Sequence, residues 1–149
     1  MHWTTTQPGC LDAERELILI DQTPGEIVFL SAADTDLRCV ASIWSQHFGK
    51  RLRISHAFAL RQPVAADHYI ENVVRKSKLV VARLLGGKAY FAHFIQGLLD
   101  LKEEGVSPKC LIFSGTGSDE EELTALSDFP PAICKRMFEY FQYGGSENI

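Results

Sequence analysis

Hydrophobic positions along this chain alternate between two patterns. Short apolar runs occur at Glu26-Ile27-Val28-Phe29-Leu30, at Lys78-Leu79-Val80-Val81-Ala82-Arg83-Leu84-Leu85 and at Lys109-Cys110-Leu111-Ile112-Phe113. Between them, apolar residues return every three or four positions. The runs are too continuous for strands with one wet face, so they read as parallel strands covered by helices on both sides. Each run ends in a small, polar or glycine-rich turn: Ser31-Ala32-Ala33-Asp34, Gly86-Gly87-Lys88 and Ser114-Gly115-Thr116-Gly117-Ser118. In a parallel sheet these turns gather along one edge. The pattern predicts an α/β fold: a three-layer flavodoxin-like or Rossmann-like open sheet, mostly parallel, with flanking helices.

The intervening segments fill in this outline. Leu17-Ile18-Leu19-Ile20 is a short β-prone run closed by Gln22-Thr23-Pro24-Gly25; it lies too near the first strand for a crossover helix, so it is antiparallel, loosely attached or merely extended. From Thr35 to Phe48, Leu37, Val40, Ala41, Trp44 and Phe48 mark an amphipathic helix with Asp34 as its N-cap and Gly49 as its end. Leu52–Leu60 looks like a second parallel strand running into a loop that stops at Pro63, after which Tyr69, Ile70, Val73 and Val74 restore helical spacing. Ala89–Glu104 is the clearest helix, with Phe91, Phe94, Ile95, Leu98 and Leu101 on one side and a costly Gly97 that close packing against the sheet would offset. Ser118 and Glu121 have capping-box spacing before a short helix through Ala125. Phe129-Pro130-Pro131 resets the chain before a last helix, with Ile133, Met137, Phe138 and Phe141, that ends at Gly144-Gly145.

Composition narrows the function classes. The 149 residues suit one domain able to bury about 70% of its unfolded surface. Fifteen basic and nineteen acidic side chains leave a net charge of -4, the wrong sign for tracking a phosphate backbone, and argue against nucleic acid. The most apolar run, 79–85, carries Arg83 and stops at Gly86, far short of a bilayer span. Cys10, Cys39, Cys110 and Cys134 are widely spaced with no secretory leader ahead of them, which fits buried thiols in a reducing cytoplasm.

Motifs for nucleotide, zinc and serine-hydrolase chemistry are missing: the chain has no Gly-x-Gly-x-x-Gly, Gly-x-x-x-x-Gly-Lys-Ser/Thr, His-Glu-x-x-His or Gly-x-Ser-x-Gly. Ser114-Gly115-Thr116-Gly117-Ser118 is the nearest to a phosphate cradle, but Asp119, Glu120 and Glu121 follow it. The histidines are too scattered for a local metal motif, although His56 should lie near the rim that carries Ser31 and Asp34. Arg83 interrupts an apolar strand and needs an anion: an internal partner (Asp34 or Asp36), a ligand carboxylate or phosphate, or another domain. Gly86-Gly87 would let backbone or a flat ligand approach closely. Ser31, Asp34, Arg83, Gly86 and Gly87 are therefore the candidate binding residues, with no catalytic or metal-ligating set and no firmly bound cofactor expected. A small enzyme using His56 and Asp34 is a further possibility.

Four blocks in order carry a family resemblance: Thr23-Pro24-Gly25-Glu26-Ile27-Val28-Phe29-Leu30-Ser31-Ala32-Ala33-Asp34-Thr35-Asp36-Leu37, Arg83-Leu84-Leu85-Gly86-Gly87-Lys88-Ala89-Tyr90, Ala125-Leu126-Ser127-Asp128-Phe129-Pro130-Pro131 and Tyr143-Gly144-Gly145-Ser146-Glu147-Asn148. Together they resemble the start of the CobN large subunit of aerobic cobaltochelatase, in the family that includes the magnesium-chelatase large subunit. Gln62 and Ala65 depart from the family pattern in the middle loop; Asp67 and Tyr69 match it. The resemblance implies residues 1–149 as a single domain of a much longer subunit. It also implies ATP-dependent insertion of cobalt into hydrogenobyrinic acid a,c-diamide during cobalamin synthesis. ATP, magnesium, cobalt and a tetrapyrrole belong to that complex, together with two smaller subunits, one of them an AAA+ ATPase. On this reading the chain is a scaffold or substrate-enclosing domain, inactive alone, whose partners are the remaining body of the large subunit and the two smaller subunits, with possible tetrapyrrole contact. The alternative is a freestanding flavodoxin-like module that binds a small ligand or another protein.

Overall fold

A computed structural model describes residues 17–47, 51–106, 108–116, 120–145 and 147–149. Four strands, β1 (Ile27–Ser31), β2 (Leu52–His56), β3 (Leu79–Leu84) and β4 (Lys109–Ser114), form one sheet in the order β2-β1-β3-β4, with every neighbouring pair parallel. This is the order of the first four strands of a 2-1-3-4-5 doubly wound sheet. Helix α1 (Asp34–His47) follows β1. Helix α2 (Pro63–Asn72) follows β2, α3 (Gly87–Tyr90) and α4 (Ala92–Glu103) follow β3, and α5 (Glu120–Thr124) and α6 (Pro131–Tyr143) follow β4. Among the described residues no helix is long and apolar enough to cross a membrane.

Side-chain alternation explains why the strands read as unbroken apolar runs. Val28, Leu30, Val80, Ala82, Leu84, Cys110 and Ile112 face one core, filled by Tyr69 and Ile70 of α2, Phe94, Ile95, Leu98 and Leu101 of α4, and Leu123 of α5. Phe29, Val81, Leu111 and Phe113 face a second core, closed by Leu37 and Val40 of α1 and by Cys134, Met137, Phe138 and Phe141 of α6. Both faces of β1, β3 and β4 are thus packed, and the helix after β1 lies opposite those after β2 and β3. A common crossover hand requires that arrangement when a sheet grows first one way from β1 and then the other.

Several boundaries differ from the sequence expectation, each for a local reason. Leu17–Ile20 forms no strand; the segment after it touches the β2 edge through Gln22, whose Nε2 donates to the Ile54 carbonyl at 2.8 Å. α1 begins at Asp34 itself, so that carboxylate sits in the first turn rather than before it. β2 stops at His56 because the His56 Nδ1 accepts the Phe58 amide at 3.3 Å and turns Ala57–Arg61 into a 3-10 helix. Pro63 opens α2 rather than merely ending a loop, a position where its missing N–H costs nothing. The helix expected over Ala89–Glu104 is two pieces, broken at Phe91, whose non-helical backbone (φ -123°, ψ 26°) drives its ring into the core. Gly97 makes its close contact with α2 rather than with the sheet: a Cβ there would overlap Cδ1 of Ile70. Gly49 and Ser118, the expected helix end and half of the expected capping box, lie outside the described residues.

The β4 edge of the sheet is covered by the chain itself. On the outer side of β4, the Asp128 carboxylate accepts the Cys110 amide at 2.7 Å and the Asp128 amide donates to the Cys110 carbonyl at 2.8 Å. One step along, the Ser127 hydroxyl accepts the Ile112 amide at 2.6 Å and donates to the Ile112 carbonyl at 2.9 Å. Two consecutive residues thereby occupy the hydrogen-bonding groups that a fifth strand would use.

Candidate functional site

The carboxyl ends of the parallel strands bring the predicted turns to one rim, as the sequence required. The chain leaves β1 towards one face and β3 towards the other, so a crevice opens between the loops that follow these neighbouring strands, where doubly wound sheets place ligands. Ser31, Ala32, Ala33, Arg83, Leu85 and Gly115 line it, around about 90 Å³. Organic ligands of ordinary size need roughly 300 Å³ or more, so this crevice takes a few solvent molecules at most.

An internal ion pair closes it. The Arg83 Nη1 donates to Asp36 Oδ2 at 2.7 Å, and the two side chains are only 12% and 6% exposed. The Ser31 hydroxyl donates to the same carboxylate oxygen at 2.6 Å while accepting the Ala33 amide at 3.1 Å. The Arg83 Nη2 donates to the Gly115 carbonyl at 3.2 Å, and the guanidinium lies 5.7 Å from the centre of the Phe141 ring. Of the anions weighed for Arg83, the fold supplies Asp36, in the first turn of α1. Ser31 and Arg83, both candidates from sequence, are joined by a residue that sequence had weighed only as a structural partner.

Asp34 stands apart from this network, 74% exposed, with Oδ1 3.7 Å from Nε2 of His56. The parallel register sets Ser31 beside His56, which explains their proximity. That separation exceeds a hydrogen bond, so the structure gives a His56–Asp34 acid-base pair adjacency without the bond that would orient it. Gly86 and Gly87 adopt φ of 99° and 76°, the left-handed region in which glycine alone is comfortable. The flat group over Gly86 is the chain's own: a Cβ there would meet the Tyr90 ring at 3.1 Å. At the β4 end, the Gly115 amide donates to the Leu84 carbonyl at 2.7 Å and the Ser114 hydroxyl accepts the Thr116 amide at 3.0 Å, so these groups are spent within the chain. Gly117–Asp119 lie outside the described residues.

Other titratable groups are spread over the surface. His68 contacts Asp21 at 2.9 Å and His93 contacts Asp67 at 2.7 Å. Among the described residues no three His, Cys, Asp or Glu side chains come together as a metal set. Cys110 and Cys134 are buried free thiols, and burial pushes the Cys110 thiol up to about 11, which keeps it protonated and unreactive.

A second, much larger depression lies beside the crevice, at the end of β2. It is open to solvent, with a volume of about 1040 Å³, and its walls include Ile20, Ile54, His56, Phe58, Arg61 and Tyr90. The Arg61 guanidinium carbon stacks 4.1 Å from the centre of the Tyr90 ring. Sequence reasoning missed this cluster because Phe58 read as a strand position, Arg61 as loop and Tyr90 as helix. The available signal was that Tyr90 falls off the apolar face formed by Phe91, Phe94 and Ile95.

Comparison with known proteins gives one consistent direction. No protein-family model matches the chain. It is similar to the aerobic cobaltochelatase subunit CobN of a Sinorhizobium species, 34% identical over 151 residues, and to CobN of Pseudomonas aeruginosa, 30% identical over 152 residues. Each alignment takes in 99% of this chain but 12% of the relative, so the chain spans about an eighth of the length of the curated relatives it matches. Among solved structures, it resembles in fold the catalytic subunit of cobaltochelatase from Mycobacterium tuberculosis, with a TM-score of 0.59 and 24% identity, covering 82% of this chain and 9% of that one.

Proposed function

This chain is a part-length relative of the aerobic cobaltochelatase subunit CobN, and on that premise we propose that it is the amino-terminal scaffold or substrate-enclosing domain of a cobaltochelatase large subunit. In that role it supports ATP-dependent insertion of cobalt into hydrogenobyrinic acid a,c-diamide in cobalamin biosynthesis and has no chelatase activity alone. The observation that carries the reading is similarity running through 99% of the chain and confined to 12% of each relative.

The chemistry of the rim fits a wall better than a reaction centre. Metal insertion into a macrocycle needs ligands for the incoming ion, a base for the pyrrolic protons and a site that encloses the ring. Cobalt is a substrate here, and its ligands are assigned to the remaining body of the large subunit. The described part of the β4 turn spends its Gly115 amide internally, so ATP and magnesium are assigned to the AAA+ partner among the two smaller subunits. What this chain supplies is a rigid edge: Ser31, Asp36 and Arg83 lock the loops after β1 and β3, and Gly86 and Gly87 shape the turn that presents Tyr90. On this reading Asp34, exposed on the rim, is the part of that edge that meets substrate or a neighbouring domain, whereas Gly87 is buried and Gly86 is faced by Tyr90.

Reconstitution tests this directly. Cobalt insertion is followed by the absorbance change of the tetrapyrrole, with this chain alone and with the remaining large-subunit body, both smaller subunits, ATP and magnesium. Turnover is expected only in the complete mixture, and omission of this chain should reduce it. Stoichiometric metal insertion by the isolated chain would overturn the noncatalytic role, and full activity without it would overturn the scaffold role.

A further inference from the structure

We propose that the depression beside β2 is a binding site for a flat, ring-bearing organic acid, held with its anionic group on Arg61 and its ring against Phe58 and Tyr90. The volume, about 1040 Å³, is ample for such a molecule, and the depression lies at the carboxyl end of the edge strand β2, on the same rim as the β1/β3 crevice but outside it.

The aromatic floor is exposed yet held in place. Phe58 and Tyr90 are 38% and 46% exposed. Phe58 nevertheless stacks on the buried Phe91 ring, centres 6.3 Å apart and planes at 4°, and Tyr90 meets Phe91 edge-on at 6.1 Å. Gly86 leaves room for the Tyr90 ring, which a Cβ there would crowd at 3.1 Å. A rigid aromatic surface offers contact area at little entropic cost on binding.

Arg61 supplies the charge preference. Its guanidinium lies over Tyr90 at 4.1 Å and within 5.8 Å of the Phe58 ring. A guanidinium held over a ring by its carbon still has N–H groups to donate, and such a group can receive an oxyanion in bidentate fashion. Among the described residues no carboxylate lies within ion-pair distance of it, whereas Arg75 and Arg83 both have carboxylate partners. His56 adds a second donor: because Nδ1 accepts the Phe58 amide, Nε2 is the ring nitrogen left to donate. Asp34 stands 3.7 Å from that nitrogen, so a ligand's anionic group is steered to Arg61 and away from the His56 corner. This site belongs to the chain's own side chains, and its failure would leave the chelatase reading untouched.

The test uses residues 1–149 and a defined pair of probes, 2-naphthoate and its neutral isostere 2-naphthamide, titrated by amide NMR. Saturable binding of 2-naphthoate is expected, with shifts centred on Phe58–Gln62 and Ala89–Phe91, at least tenfold tighter than 2-naphthamide. Arg61→Gln should bring the two probes within about twofold of each other while the remaining spectrum is preserved. Tyr90→Ala should weaken both by a similar factor. Absence of saturation, shifts centred elsewhere, or an acid preference that survives Arg61→Gln would overturn the proposal.

Discussion

Asp36 is the residue on which the rim depends, since one carboxylate oxygen serves both Arg83 and Ser31 in a nearly dry setting. Removing one member of a buried pair strands the other charge, at a cost of about 3–5 kcal/mol, whereas replacing both with apolar groups is often near neutral. Asp36→Ala should therefore lose about that much in urea unfolding, and adding Arg83→Met to it should recover much of the loss. A strictly additive double mutant would show that the pair does not act as a unit. Asp128 makes a pH-dependent contribution of its own. Burial by itself would raise its pKa, but the hydrogen bond from Lys102, the Cys110 amide and the neighbouring lysine charges outweigh it, and the net direction is below the ordinary 3.8. A lowered folded value means stabilisation that is fully present above about pH 4 and is lost as pH falls through the folded pKa. The acid limb of a stability-against-pH curve should be shallower in Asp128→Asn than in the parent, and identical limbs would contradict this assignment.

Elements are held by two devices that pattern alone does not display. The first is the covered edge of β4, where Ser127 and Asp128 serve four backbone groups of Cys110 and Ile112. Ser127→Ala leaves two of those groups without a protein partner, with an expected loss of about 1–3 kcal/mol. The pair Ser127→Ala and Asp128→Ala should also expose a pairing edge and raise self-association, read by light scattering at increasing protein concentration. A strictly monomeric double variant would mean that the chain after α5 shields the edge sterically. The second device is the contact of α4 with α2 at Gly97. A methyl group there meets the tip of Ile70, and Gly97→Ala should destabilise by about 1–3 kcal/mol through overpacking, even though alanine is the better helix former. A stabilised variant would show that Ile70 re-packs without strain.

At the scale of the whole molecule, one sheet is shared by two cores, so neither face can be lost without removing the support of the other. Trp44 of α1 lies by the sheet face covered by α1 and α6, and most of the large aliphatic core lies on the opposite face. Urea unfolding followed by tryptophan fluorescence and by far-ultraviolet circular dichroism should give coincident transitions; separate midpoints would show that the layers unfold independently. The sequence determined the layered α/β architecture and the gathering of turns on one rim, because burial on both faces of a parallel strand forces an unbroken apolar run and a helical return. It also marked Arg83 as a charge in need of an anion. Only the tertiary structure decided which anion that is, since Asp36 reaches Arg83 through the pairing of β1 with β3, a choice of strand order that leaves no trace in local periodicity. Phe58, Arg61 and Tyr90 likewise come from separate elements. Their convergence depends on the His56-capped 3-10 turn, the left-handed Gly86 and the crossover between them, and long-range geometry of that kind is set by packing, beyond the reach of any window of residues.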